Sequence, residues 1–396
     1  MFSSSAIQDL LDDRAYHIEF NGHLSNHAKH AVVALAGLGV PAPKIQAYYN
    51  AYARMTTYGS GLEQPKASPH VVTDENWDSL FGRRKSFSAY CDFFDRRERE
   101  LGLDVVLARY LPRLLPGWVG AFTHAAIHLG WALDAGSRWM AIEGLAYLAF
   151  AYVPCHPDRA GTADGRGAGA RPIASLIALA AAWEDAGGTL KPAIRSAITG
   201  DGGADLHPEL ARSGLQYRIA RVLGEGHPLF YRTPAWVDGW RPGTDWDDLY
   251  HAITLLYLAR PGDFVLLHLV TSLYAIEQIA RRLPPEQERD IVTCFWIGAL
   301  GVALSGGDFP RRSKLETLDA LYRDAVDDGG AAAWHGDWDR IIARAVEEED
   351  EHNPKLVYVL QQRWAKTGGR SIYRLAAGQL TVTPGLPPSF ETPPND

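Results

Sequence analysis

Between Asp245 and Leu304 the chain runs through three long segments whose apolar residues recur at helical spacing, Asp245–Leu258, Phe264–Arg282 and Pro285–Leu304. Only turn chemistry separates the first two: Arg260-Pro-Gly-Asp263, in which Asp263 is placed to cap the second helix. A stretch this long on one 3.6-residue period leaves no room for alternating strands and helices. The same periodicity appears in Ser4–Tyr16, Asn26–Leu38, Pro43–Arg54, Phe87–Gly102, Asp104–Leu115, Ser137–Tyr152, Pro172–Ala186, Lys314–Val326, Trp338–Glu349 and Lys355–Trp364. Only Gln379–Val382 reads as a strand, and there is no repeat of fixed period. The expected fold is all-α: a single large multi-helix domain over residues 1–396. Its interruptions are a Gly/Pro/Ser-rich connection over Met55–Asp78, a flexible Gly/Ala/Arg-rich loop over residues 154–171, and a C-terminal tail over 383–396.

Composition narrows the function class. A formal charge of −8 with no basic stripe argues against nucleic acid as a partner. Cys91, Cys155 and Cys294 are too few and too widely spaced for a disulfide framework or a CxxC zinc site, which fits a reducing compartment. The N-terminus has no basic region followed by an apolar run, and the apolar run Trp139–Val153 is short and carries Glu143. A cytoplasmic protein is expected. Twelve Trp and 17 Tyr suit either a pocket for a flat aromatic ligand or simply a large core.

The histidines carry the chemistry. His23, His27 and His30 are spaced by four and three residues, within about 60° of one another on a helix. One helix cannot usefully give a metal three ligands at that spacing, so His23 is set aside. His124-Ala-Ala-Ile-His128 puts two more imidazoles one turn apart, with Trp131 on the same stripe. His268 interrupts the apolar run Phe-Val-Leu-Leu-His-Leu-Val, where each ring nitrogen needs a partner. His352-Asn-Pro-Lys355 follows the acidic run Glu347–Glu351, which reads as a solvated face. Pro354 would open the next helix with Asn353 as its cap. Each of these histidines also reads as a satisfied core residue, and Lys355 as a surface lysine. His17, His70, His156, His207, His227, His251 and His335 are read as background in loops or on exposed faces. Gly165–Gly169 is no dinucleotide fingerprint, and there is no Walker A, GxSxG or HExxH sequence.

In their order and separation, His23–Leu38, His124–Leu133, His268–Ala275 and His352–Leu356 resemble the questin oxidase-like family, whose fungal members take part in oxidative ring opening of anthraquinones. The resemblance implies an oxygen-dependent oxidoreductase. It implies a mononuclear non-haem Fe(2+) site of several histidines plus a lysine made anionic by carbamylation, or an NADPH-linked Baeyer–Villiger-type reaction, with NADPH as reductant. Carried over, the metal candidates are His27, His30, His124, His128, His268, His352 and Lys355, with His352 and Lys355 also catalytic. No Asp or Glu stands among these motifs, so a Lys355 carbamate would supply the negative charge that Fe(2+) favours. Trp131 and the row Tyr48, Tyr49 and Tyr52 would wall the pocket. The expected partners are a small aromatic molecule and O2, with a homodimer the one protein assembly allowed for, and neither nucleic acid nor membrane. From a different class, the same histidines would hold a structural zinc in a non-catalytic helical binding protein.

Overall fold

A computed structural model describes residues 4–160, 171–200, 214–328, 333–347 and 350–381. The N-terminal half holds α1 (Ser5–Leu11), α2 (Ala28–Gly37), α3 (Ala42–Arg54), α4 (Phe87–Leu101), α5 (Leu103–Leu114), α6 (His124–Ala135), α7 (Arg138–Phe150), α8 (Pro172–Glu184) and α9 (Leu190–Thr199). The C-terminal half holds α10 (Gly214–Glu225), α11 (Pro228–Arg232), α12 (Trp246–Ala259), α13 (Phe264–Ala280), α14 (Glu288–Leu304), α15 (Arg312–Tyr322), α16 (His335–Glu347), α17 (His352–Lys366) and α18 (Ser371–Ala377). The protein is all-α, as its periodicity requires.

A helix that is apolar on every side must be covered on every side. In α6 only Leu133 and Asp134 escape full burial. It lies against α7, α13 and α2, while α17 packs on α2 and α13. Two glycines set how closely these helices approach. A Cβ on Gly130 would stand 2.3 Å from the Cα of Ala275 in α13, and one on Gly144 in α7 would stand 2.6 Å from the Cα of Leu129. Larger residues at either position would prise α6 from its neighbours. Asp263 caps α13, its Oδ1 accepting from the amides of Val265 and Leu266 at 2.9 and 3.0 Å.

Several expectations are corrected. Gln379–Thr381 is not a strand, and Val382 lies outside the described residues. The strands among the described residues are short: β1 (Glu19–Phe20) pairs antiparallel with β2 (Leu24–Ser25). Asn21 and Gly22 turn between them at φ 49° and 82°, the left-handed region these two residues tolerate best. His23 therefore sits in a hairpin turn and not on the histidine helix. Asn353 does not cap α17, whose cap is Glu351; its amide side chain bonds the backbone of Thr381 instead. His17 and His251 are buried, the latter against Asp319 at 3.0 Å. α9 and α10 had no counterpart in the periodic reading. Residues 161–170 of the expected loop, His207 and the expected tail over 383–396 lie outside the described residues.

Candidate metal centre

Four helices bring their amino-terminal ends to one place in the core. His27 is the N-cap of α2 and His30 lies in its first turn; His124 and His352 open α6 and α17; His268 is one turn into α13. Helix amino-termini carry partial positive charge, so their convergence favours a negative group among these imidazoles. The turn before α6 is unusual: Ala121, Phe122 and Thr123 all have positive φ, of 51°, 52° and 70°. Three consecutive left-handed non-glycine residues cost roughly 1–2 kcal/mol each. The Phe122 amide donates to Gln216 Oε1, and the Ala121 carbonyl is turned onto His124 Nδ1 at 2.7 Å.

His27, His30, His124, His128, His268, His352 and Lys355 form one buried cluster. The rings of His27 and His124 are 4.5 Å apart between centroids, His27 and His352 4.7 Å, His124 and His268 4.8 Å, and His268 and His352 4.9 Å. One nitrogen from each of His27, His124 and His352 lies within 4.8 Å of the other two. Lys355 Nζ is 2.6 Å from His27 Nδ1. Burial pulls the Lys355 ammonium down to about 8, with Glu351 and Asp350 opposing the shift. His27, His30, His124 and His268 are all held well below the usual imidazole range by burial, with neighbouring positive charge adding to it.

The hydrogen bonds then fix the tautomers. His124 Nδ1 faces the Ala121 carbonyl at 2.7 Å and His268 Nδ1 faces the Phe264 carbonyl at 2.7 Å. A carbonyl oxygen only accepts, so both Nδ1 atoms carry the hydrogen and both Nε2 atoms carry lone pairs. Those two lone-pair nitrogens face each other at 3.2 Å. His352 follows the same rule: its Nδ1 bonds Asp350 Oδ1 at 2.8 Å, the carboxylate–histidine pairing that orients a metal-binding imidazole.

The other end of the cluster is different. His30 Nε2 bonds His128 Nδ1 at 2.9 Å, and His128 Nε2 bonds Glu143 Oε2 at 3.2 Å. Glu143 also accepts from Lys29 Nζ at 2.6 Å and Trp139 Nε1 at 2.9 Å. Burial works against the Glu143 carboxylate, but Lys29 and His128 outweigh it and hold it below the usual range. Both nitrogens of His128 are thus engaged within the protein, while His30 Nδ1 is buried with no hydrogen-bond partner.

The carboxylates are what sequence reasoning missed. The run before His352 is not a solvated face throughout: Glu351 is completely buried and Asp350 bonds His352. Glu143 had a visible signal, a lone charge inside an otherwise apolar helix. Trp131 stands at the edge of the cluster, its ring 6.5 Å from that of His30, and the Tyr52 hydroxyl accepts from the His27 amide at 3.4 Å. Tyr49 turns away to bond Asp13.

The family model described as Questin oxidase-like matches residues 24–360, which takes in every residue of this cluster. The chain belongs to that family. It is accordingly an oxidoreductase, of an oxidase family acting on anthraquinone-type aromatic molecules. No curated protein matches the chain. No described helix is long and apolar enough to cross a membrane.

Proposed function

We propose that the protein is a non-haem iron-dependent oxygenase that opens a ring of an aromatic polyketide of the anthraquinone type. The observation that carries the metal is the pair of lone-pair nitrogens on His124 and His268, 3.2 Å apart. Two such lone pairs repel unless a cation lies between them. Adjacent donors at bond lengths of about 2.1 Å stand about 3.0 Å from each other. A shared proton would also bridge them, but burial and Lys355 oppose a charged imidazole there. The donor set fits an iron ion. His27, His124, His268 and His352 would hold it, with Lys355 as the anionic donor once carbamylated. Iron bound there would supply activation of O2 beside an electron-rich ring.

The remaining work falls to the protein. Asp350 and the carbonyls of Ala121 and Phe264 hold three imidazoles with Nε2 inward. His128, clamped by Glu143, holds His30 with Nδ1 as its free lone pair, a proton acceptor at the edge of the site. A lowered pKa leaves Lys355 Nζ partly neutral near pH 8, the form that attacks CO2. The new N–C bond releases one proton and leaves a carbamate, a charge the four helix amino-termini favour. Full burial excludes water from the reacting ring.

Iron content and O2 uptake test this reading together. Protein purified without a histidine tag should bind one iron and consume O2 with an anthrahydroquinone, without added NADPH. A protein that binds zinc in preference to iron and takes up no O2 would overturn it.

A further inference from the structure

Glu351 is a buried carboxyl group with few hydrogen bonds; the nearby cation its charge acts on is Lys355. Its side chain is fully shielded, Oε2 receives one long bond from Thr57 Oγ1 at 3.4 Å, and Oε1 has no hydrogen-bond partner. A carboxylate can accept about four hydrogen bonds, and leaving one dry and short of them is costly. The hydroxyl of Tyr48 is likewise buried without a partner, although Glu351 lies close enough to raise its pKa behind the larger effect of burial. The two are not bonded to each other, so each is left to a third group. Their surroundings are aromatic. Tyr48 and Tyr52 stack at 6.1 Å with 17° between ring planes, and Tyr58 also feels the Glu351 charge. Tyr58 and Thr57 come from the long connection after α3. Glu351 directly precedes His352, and the Tyr52 hydroxyl accepts from the His27 amide, so this corner adjoins the histidine cluster.

We propose that Glu351 and Tyr48 form the subsite that orients the substrate. Glu351 Oε1 accepts the hydrogen of a phenolic hydroxyl, and the Tyr48 hydroxyl bonds a second oxygen of the same molecule. This rests on the functional reading above and adds the recognised group: a hydroxylated aromatic ring, bound by its O–H and stacked along tyrosines. The subsite selects free phenols over their ethers, because an ether leaves Glu351 Oε1 unpaired.

The test uses metal-free, full-length protein, with a β-hydroxyanthraquinone and its methyl ether as probes and Kd read from ligand fluorescence. Wild type should bind the phenol at least tenfold more tightly than the ether. Glu351→Gln should shrink that ratio to about twofold, and Tyr48→Phe, nearer the surface, should weaken both probes several-fold. Iron affinity of Glu351→Gln should stay within about threefold of wild type. Equal binding of both probes, no binding of the phenol, or a ratio unchanged in Glu351→Gln overturns the subsite. So does a loss of iron in Glu351→Gln matching that of a histidine ligand variant, since Glu351 would then be a ligand. Should Glu351→Gln fail to fold, Tyr48→Phe decides alone, an unchanged phenol affinity overturning the subsite. Phenol selectivity in a protein that binds no iron would leave the subsite standing and sink the iron reading.

Discussion

The two walls of the histidine cluster differ in what their nitrogens touch. On the α6–α7 side, His128 has both nitrogens bonded, to His30 and to Glu143, and Glu143 is neutralised by Lys29. At the other end, where the amino-termini of α6 and α17 meet α13, His124 and His268 turn lone pairs toward each other, and Lys355 crowds His27. Both walls are buried, and both carry imidazoles. On the first, only His30 Nδ1 is left without a partner; on the second, two lone pairs face each other, and on the reading proposed above a cation would join them. Histidine content therefore does not mark a ligand: the atom that the second ring nitrogen bonds does.

The sharpest way to break this contrast is to empty the open wall. His124→Ala/His268→Ala should lower iron affinity by more than the roughly 100-fold that outer partners are worth. Equilibrium dialysis with iron checks it, and a double variant that retains wild-type iron would end the distinction. Lys355→Met should come next, weakening iron by about 10–100-fold through loss of the anionic donor, by the same scale. Equilibrating wild type with carbon-13-labelled bicarbonate should give a carbamate resonance that the variant lacks; a spectrum with no such signal removes Lys355 from the donor set.

The closed wall should respond in stability before it responds in metal. Glu143→Gln strands Lys29 in the core, and breaking a buried pair from one side costs about 3–5 kcal/mol. Urea unfolding should show that loss while iron affinity falls no more than about tenfold. The reverse pattern would make Glu143 and His128 part of the donor set. Acid should act on four imidazoles together. His27, His30, His124 and His268 have depressed pKa values in the fold, so above about pH 6.5 they are neutral both folded and unfolded and nothing is lost. Below it the unfolded chain takes up protons that the fold refuses, at up to about 1.4 kcal/mol per group per pH unit. Melting of the metal-free protein should fall steadily between about pH 7 and 5, and a flat profile would mean that the imidazoles are already charged.

How much of this was legible in sequence depends on the kind of order involved. The long helices and their capping by Asp263 follow from local periodicity and were readable residue by residue. The histidine motifs were readable too, because an imidazole in an apolar helix is a local anomaly. What local patterns do not encode is which groups meet through space. Asp350 and Glu351 look like the end of an acidic surface run until α17 is docked on α2 and α13, which buries Glu351 and sets Asp350 against His352. His23 shares the periodic spacing of His27 and His30, but Asn21 and Gly22 turn the chain there. Nothing in the sequence shows Lys29 meeting Glu143, since those residues are 114 positions apart.

The central claim is that a metal ion joins the nitrogens of the open wall. An anomalous-difference map at the iron absorption edge, from crystals of iron-loaded protein, tests it most directly. The expected result is one strong peak within bonding distance of Nε2 of both His124 and His268, with His27, His352 and Lys355 around it. A peak held instead by His128 and Glu143, or no peak in the cluster at full iron loading, would contradict it.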